Sequence, residues 1–107
     1  MIEAGIIGGA GYTAGELIRL ILNHAEVNLN FVYSTSNAGN MISTIHRDLE
    51  GDIFLKFTDQ INHKVDVLFL CLGHGNSRKF LNEYSFSNKT KVIDLSNDFR
   101  LINDNSL

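Results

Sequence analysis

Eight residues near the start limit what this chain can become: Gly8-Gly9-Ala10-Gly11-Tyr12-Thr13-Ala14-Gly15. Before them lies a short apolar run, residues 4–7, partly β-branched, which reads as a buried parallel strand. After them, Ala14, Leu17, Ile18, Ile21, Leu22 and Ala25 recur at the helical period and predict a helix over residues 13–25. Thr13 and Glu16 have the spacing of a capping box at its start. A glycine-rich turn between a buried strand and a periodic helix is the phosphate-binding corner of a dinucleotide-binding fold. From Gly9 it reads G-x-G-x-x-A; from Gly8, G-x-x-G-x-x-A.

Each residue type in that turn has a physical task. The first glycine permits a tight turn at positive φ. Gly11 keeps side-chain atoms away from a pyrophosphate, and a small residue at Ala14 lets helix and strand pack closely. Amides of Gly11, Tyr12 and Thr13 would then point at the phosphates from the positive end of the helix dipole. Gly8, Ala10, Gly11, Tyr12, Thr13 and Ala14 are the candidate contacts. The plainer reading is a tight turn with no ligand. No Lys-Ser or Lys-Thr follows the glycines, so the loop is not that of a nucleoside triphosphatase.

Downstream, residues 27–33 alternate and predict a second strand, with a small polar loop over 34–40. Ile42, Ile45 and Leu49 mark a short helix within 41–51, and residues 53–57 read as a third strand. Residues 65–72 are the strongest strand signal, a helix is expected over 76–84, and 92–95 is a final strand. Near-continuous apolar strands separated by helices imply an α/β fold, a Rossmann-like doubly wound parallel sheet. The final polar stretch, residues 101–107, reads as a domain that stops partway. Residues 1–107 are taken as one NAD(P)-binding domain.

A cofactor lacking a 2′-phosphate usually meets a carboxylate at the end of the second strand, about 20 residues past the glycines. Here that place holds Tyr33-Ser34-Thr35-Ser36-Asn37. Hydroxyls of Ser34, Thr35 and Ser36 favour NADP over NAD; the alternative is ordinary turn formers. Arg47 is the nearest downstream arginine.

Bulk properties narrow the setting. The chain has 107 residues, nine Lys and Arg against twelve Asp and Glu, and a formal charge of −3. That balance argues against a nucleic-acid grip. One cysteine, Cys71, fits a reducing compartment. No stretch is long enough to span a bilayer, and the start lacks a signal-peptide pattern. A cytoplasmic protein is expected, without membrane partners.

Three segments resemble N-acetyl-gamma-glutamyl-phosphate reductases. They are Gly8-Gly9-Ala10-Gly11-Tyr12-Thr13-Ala14-Gly15-Glu16-Leu17, Leu72-Gly73-His74-Gly75, and Val92-Ile93-Asp94-Leu95-Ser96-Asn97-Asp98-Phe99-Arg100-Leu101. The family forms are close to G-A-S-G-Y-T-G-G-E-L, L-P-H-G and V-I-D-L-S-A-D-F-R-L. Ala14 stands where the family has glycine, and Gly73 where it has proline. The resemblance implies an NADP-dependent reduction of an acyl phosphate in arginine biosynthesis. A cysteine forms a thioester that takes hydride from NADPH, and a histidine is the acid/base. Both belong to a second domain, and no G-C-Y stretch occurs here, so no catalytic residue is assigned and the chain alone is expected to be inactive. A homo-oligomer is expected for the whole enzyme.

The resemblance further implies that Leu72, Gly73 and His74 lie near the nicotinamide, and that Ser96, Asp98 and Arg100 lie near substrate. A loop histidine and a structural Asp98–Arg100 pair are the plainer alternatives. Cys71, inside an apolar strand, reads as a small hydrophobe. His24, His46 and His63 lack metal-ligand spacing and read as surface residues. Two rivals stand beside this reading: an aspartate-semialdehyde dehydrogenase-like reductase, and a dinucleotide-sensing module without catalysis.

Overall fold

The computed structural model describes residues 1–8, 11–49, 51, 55–72, 76–84, 86 and 89–95. Four strands form one all-parallel sheet: β1 (Ile2–Ile7), β2 (Val27–Tyr33), β3 (Val67–Leu70) and β4 (Lys91–Asp94). Their order is β2-β1-β3-β4. Helix α1 (Tyr12–Leu22) joins β1 to β2, and α3 (Asn76–Glu83) joins β3 to β4. Between β2 and β3 lie a single turn, α2 (Ile42–Ile45), and a 3-10 turn, Arg47–Leu49. The chain leaves β1 in one direction and later returns to its other side, so the sheet switches direction between β1 and β3. Ligands of doubly wound sheets bind at the carboxyl edge of such a switch.

Two apolar layers hold the sheet. On one face Ala14, Ile18 and Ile21 of α1 pack with Ala4, Ile6 and Val32, and the cluster extends to Ile42, Leu49 and Phe57. The 14–18–21 spacing is what the helical period requires of one buried stripe. On the other face Ile7, Phe31, Val65, Leu68 and Leu70 pack with Phe80 of α3. Ala4 through Ile7 are buried without a break because β1 is interior and both its faces are covered. A register shift between Ala4 and Gly5 pairs Gly5 with Phe31. A Cβ at Gly5 would lie 2.3 Å from the Phe31 ring, so that ring lies directly over the glycine. Truncating Ile18→Ala is expected to cost about 2–5 kcal/mol in urea unfolding, since a fully buried side chain would leave a cavity.

Several boundaries differ from the sequence reading for identifiable reasons. Helix α1 starts at Tyr12, with Gly11 as N-cap and no side-chain cap. Thr13 is therefore already helical, and Glu16 pairs with Arg19 instead of closing a capping box. The helix stops at Leu22 because the Asn23 side chain donates to the Arg19 carbonyl, 3.0 Å away. Among the described residues, the expected third strand over 53–57 does not join the sheet. Its described part, residues 55–57, makes one single bridge, Lys56 antiparallel to Met41, and Thr58 just beyond it bridges parallel to Tyr33. Residues 53 and 54 lie outside the described residues.

Candidate functional site: the carboxyl edge of the sheet

The glycine turn is fastened on both sides. The Gly8 N–H donates to the Tyr33 carbonyl at 2.9 Å, and the Cys71 N–H donates to the Ile7 carbonyl at 2.8 Å. The ends of β1, β2 and β3 thus meet at one point. Gly8 has φ +85°, and a Cβ there would lie 2.9 Å from the Cys71 carbonyl oxygen. The protein itself demands glycine at this position. Gly9 and Ala10 lie outside the described residues.

Gly11 is different. Its φ of −80° and ψ of 171° suit any residue. A Cβ there would meet nothing within 4 Å. Among the described residues no packing or backbone requirement calls for glycine, and the space beside it is open. In α1 the Gly15 N–H donates to the Gly11 carbonyl at 3.1 Å. The amides of Gly11, Tyr12, Thr13 and Ala14 precede that bond and have no intrahelical acceptor. They form the positive end of an eleven-residue helix, an arrangement suited to an anion. Tyr12 is 76% exposed, Thr13 is half-buried, and Ala14 is fully buried in the cluster containing Ala4 and Ile6.

Gly15 carries a role that sequence reasoning did not give it. A Cβ there would lie 2.7 Å from Nδ1 of His46. His46, expected on the surface, is half-buried against α1, with Phe57 at a ring distance of 6.4 Å. The only sequence sign of this contact is a second small residue beside Ala14.

At the end of β2 the three hydroxyl residues separate. Ser34 is only 7% exposed; its N–H donates to the Thr58 carbonyl, and its Oγ accepts from Asn37 at 3.3 Å. Thr35 and Ser36 are exposed, and Asn37 also donates to the Ser36 Oγ at 3.4 Å. Sequence reasoning found no carboxylate here, but the Tyr33–Thr58 bridge sets exposed Asp59 immediately beyond the β2 end. The same piece brings exposed Lys56 opposite Met41, just past the polar loop. Both charges lie some twenty residues from that loop in sequence, and only the fold places them there. A hydrogen bond to Tyr84, then burial, raises the pKa of the Tyr33 hydroxyl above its ordinary value.

The ends of β3 and β4 complete the edge. Cys71 and Leu72 are half-buried, and the Leu95 N–H donates to the Leu70 carbonyl at 2.9 Å. Burial, then the nearby Asp94 carboxylate, pushes the Cys71 thiol up to about 11. At pH 7.5 Cys71 is therefore almost wholly thiol, which suits packing and not nucleophilic attack. Alkylation of native Cys71 by iodoacetamide is expected to be at least about 100-fold slower than that of a free thiol. Alkylation at the free-thiol rate would contradict the assignment. Gly73, His74, Ser96, Asp98 and Arg100 lie outside the described residues. No cluster of metal-ligating side chains occurs among the described residues. Nor is any described helix long and apolar enough to cross a membrane.

Comparison with known proteins agrees with this architecture. Residues 3–107 match the family described as semialdehyde dehydrogenase, NAD binding domain. An N-acetyl-gamma-glutamyl-phosphate reductase of Christiangramia forsetii is 66% identical over 99% of this chain and 33% of its own. One from Flavobacterium johnsoniae is 61% identical over 97% of this chain and 32% of its own. The chain thus spans about a third of the length of these relatives. Among solved structures, aspartate semialdehyde dehydrogenase with NADP from Candida albicans superposes with a TM-score of 0.66 at 21% identity. That match covers 94% of this chain and 31% of the other, and it shows a shared fold. By that family match over residues 3–107, the chain belongs to the semialdehyde dehydrogenase NAD-binding domain family.

Proposed function

We propose that residues 1–107 form the NADP-binding part of an N-acetyl-gamma-glutamyl-phosphate reductase. The reaction is the reduction of an acyl phosphate to N-acetylglutamate semialdehyde at the expense of NADPH, in cytoplasmic arginine biosynthesis. The observation that carries the cofactor reading is Gly11, a glycine that no described residue requires, beside space open among the described residues and helix amides without an intrahelical acceptor. The substrate reading rests on relatives of 61–66% identity that bear that enzyme name.

In this reading the amides of Gly11, Tyr12, Thr13 and Ala14 bind the pyrophosphate. Exposed Thr35 and Ser36 receive the 2′-phosphate, while Ser34 shapes the loop from within. Leu72, Gly73 and His74 flank the nicotinamide. Ser96, Asp98 and Arg100 face substrate, Arg100 as a bidentate fork for an anion. Bound NADPH supplies hydride. The cysteine that forms the thioester and the histidine that moves protons belong to the part of the enzyme beyond this chain. The working enzyme is a homo-oligomer.

Asp59 supports a second reading, in which NAD is the cofactor and this carboxylate accepts from the ribose 2′-hydroxyl. Parallel titrations separate the two. NADPH is expected to bind about tenfold or more tightly than NADH, and Asp59→Asn is expected to leave NADPH affinity unchanged or improved. Tighter NADH binding that Asp59→Asn abolishes would establish the second reading instead.

A further inference from the structure

Glycine is a poor helix former, yet α1 buries one in its interior, Gly15. The His46 ring occupies the place its side chain would take. A Cβ at Gly15 would lie 2.7 Å from Nδ1 and 2.9 Å from Cε1 of that ring. The ring is held where it is. The His46 N–H donates to the Ile42 carbonyl at 2.9 Å, and its carbonyl accepts from the Leu49 N–H at 3.0 Å. Ile42 and Leu49 are both buried in the cluster on the α1 face. Beyond the ring lies Phe57, 2% exposed, at a centroid distance of 6.4 Å.

The two neighbours of His46 lead to the two halves of the carboxyl edge. On one side, the Gly15 N–H donates to the Gly11 carbonyl, so His46 rests one helical turn below the amides of the glycine corner. On the other side, the Phe57 backbone holds the polar loop after β2. The Phe57 N–H donates to the Asn40 carbonyl, and the Gly39 N–H donates to the Phe57 carbonyl, both at 2.9 Å. The next residue, Thr58, accepts from the Ser34 N–H at 2.9 Å. A continuous packed line therefore runs from α1 through His46 and Phe57 to the loop bearing Thr35 and Ser36.

We propose that His46 is a positioning residue for cofactor choice, which fixes the loop that receives the 2′-phosphate relative to the amides that receive the pyrophosphate. The inference rests on the NADP reading of this edge. One adenosine joins the two phosphate groups of NADPH, so both seats must be in place together. A loop that drifts from α1 presents the second seat only part of the time, and the cost of ordering it falls on binding. NADH has no 2′-phosphate and is indifferent to that spacing. His46 acts through Gly15 and Phe57 and needs no contact with the cofactor.

The full-length enzyme and its variants are titrated with NADPH and with NADH. His46→Ala is expected to weaken NADPH binding by about tenfold and NADH binding by less than about threefold. Equal losses for both cofactors, or none, would make His46 an ordinary packing residue and overturn the proposal. Gly15→Ala places a better helix former in α1 while displacing the ring, so it is expected to fold and to weaken NADPH selectively. Combined with His46→Ala it is expected to add nothing, because the ring it displaces is gone. An unchanged preference in Gly15→Ala, or additive losses in the double variant, would overturn the proposal equally. A parent enzyme that binds NADPH no better than NADH would overturn the NADP reading and this inference with it. A preference that survives both single substitutions would overturn the role of His46 alone.

Discussion

Gly11→Val is expected to leave the fold intact and to weaken NADPH binding by at least about 100-fold, a loss of about 2.7 kcal/mol. The fold survives because Gly11 already has backbone angles any residue adopts and its Cβ would touch nothing. Valine caps a helix less well than glycine, at a cost of about 1 kcal/mol. Binding fails because phosphate oxygens must come within about 2.9 Å of the amides. A branched side chain at that point holds them off. Circular dichroism and urea unfolding, run beside a fluorescence titration with NADPH, check both halves of the expectation.

Gly8→Ala is expected to do the opposite: to damage the protein first and binding only as a consequence. Alanine at φ +85° costs about 1–2 kcal/mol in backbone strain alone. Its Cβ would also press on the Cys71 carbonyl at 2.9 Å, a backbone atom held by the β1–β3 pairing. The total is about 3 kcal/mol, which corresponds to a fall of roughly 15 °C in Tm for a chain of this size. A Tm unchanged from the parent would show that the turn is not clamped between β2 and β3 as described. The two glycines, three residues apart in one motif, thus separate a structural demand from a ligand's demand.

Much of the fold was legible because its main signals are local. The 4–7 run, the glycines and the stripe through Ala14, Ile18 and Ile21 each specify β1, the turn and α1 from within a short window. The order of elements then implied a parallel sheet, and the order β2-β1-β3-β4 follows that expectation. What escaped depends on distant contacts. The 53–57 stretch has the composition of a strand. Within it Lys56 instead bridges Met41, and Thr58 just beyond it bridges Tyr33, on the way from β2 to β3, a placement decided by the crossover and not by propensity. The Thr13–Glu16 spacing predicted a capping box, but Gly11 and Tyr12 start the helix two residues earlier.

The candidate site divides in the same way. The glycine turn could be found from sequence because its spacing is its mechanism. That Gly8 is crowded by Cys71 while nothing described lies within reach of a Cβ at Gly11 could not, since both are simply glycine in a string. The Ser34-Thr35-Ser36 loop was visible, but the inward turn of Ser34 depends on Thr58 and Asn37. Asp59 and Lys56 reach the same region through the β2–Thr58 bridge, and no periodicity announces that.

The central claim is that main-chain amides at the start of α1, which have no intrahelical acceptor, hold the cofactor's pyrophosphate. It is tested most directly by following backbone amide resonances during NADPH titration. The account predicts saturable shifts largest at Gly11, Tyr12, Thr13 and Ala14, with little change at the far ends of the strands. Saturable binding that leaves those four amides unmoved would contradict it.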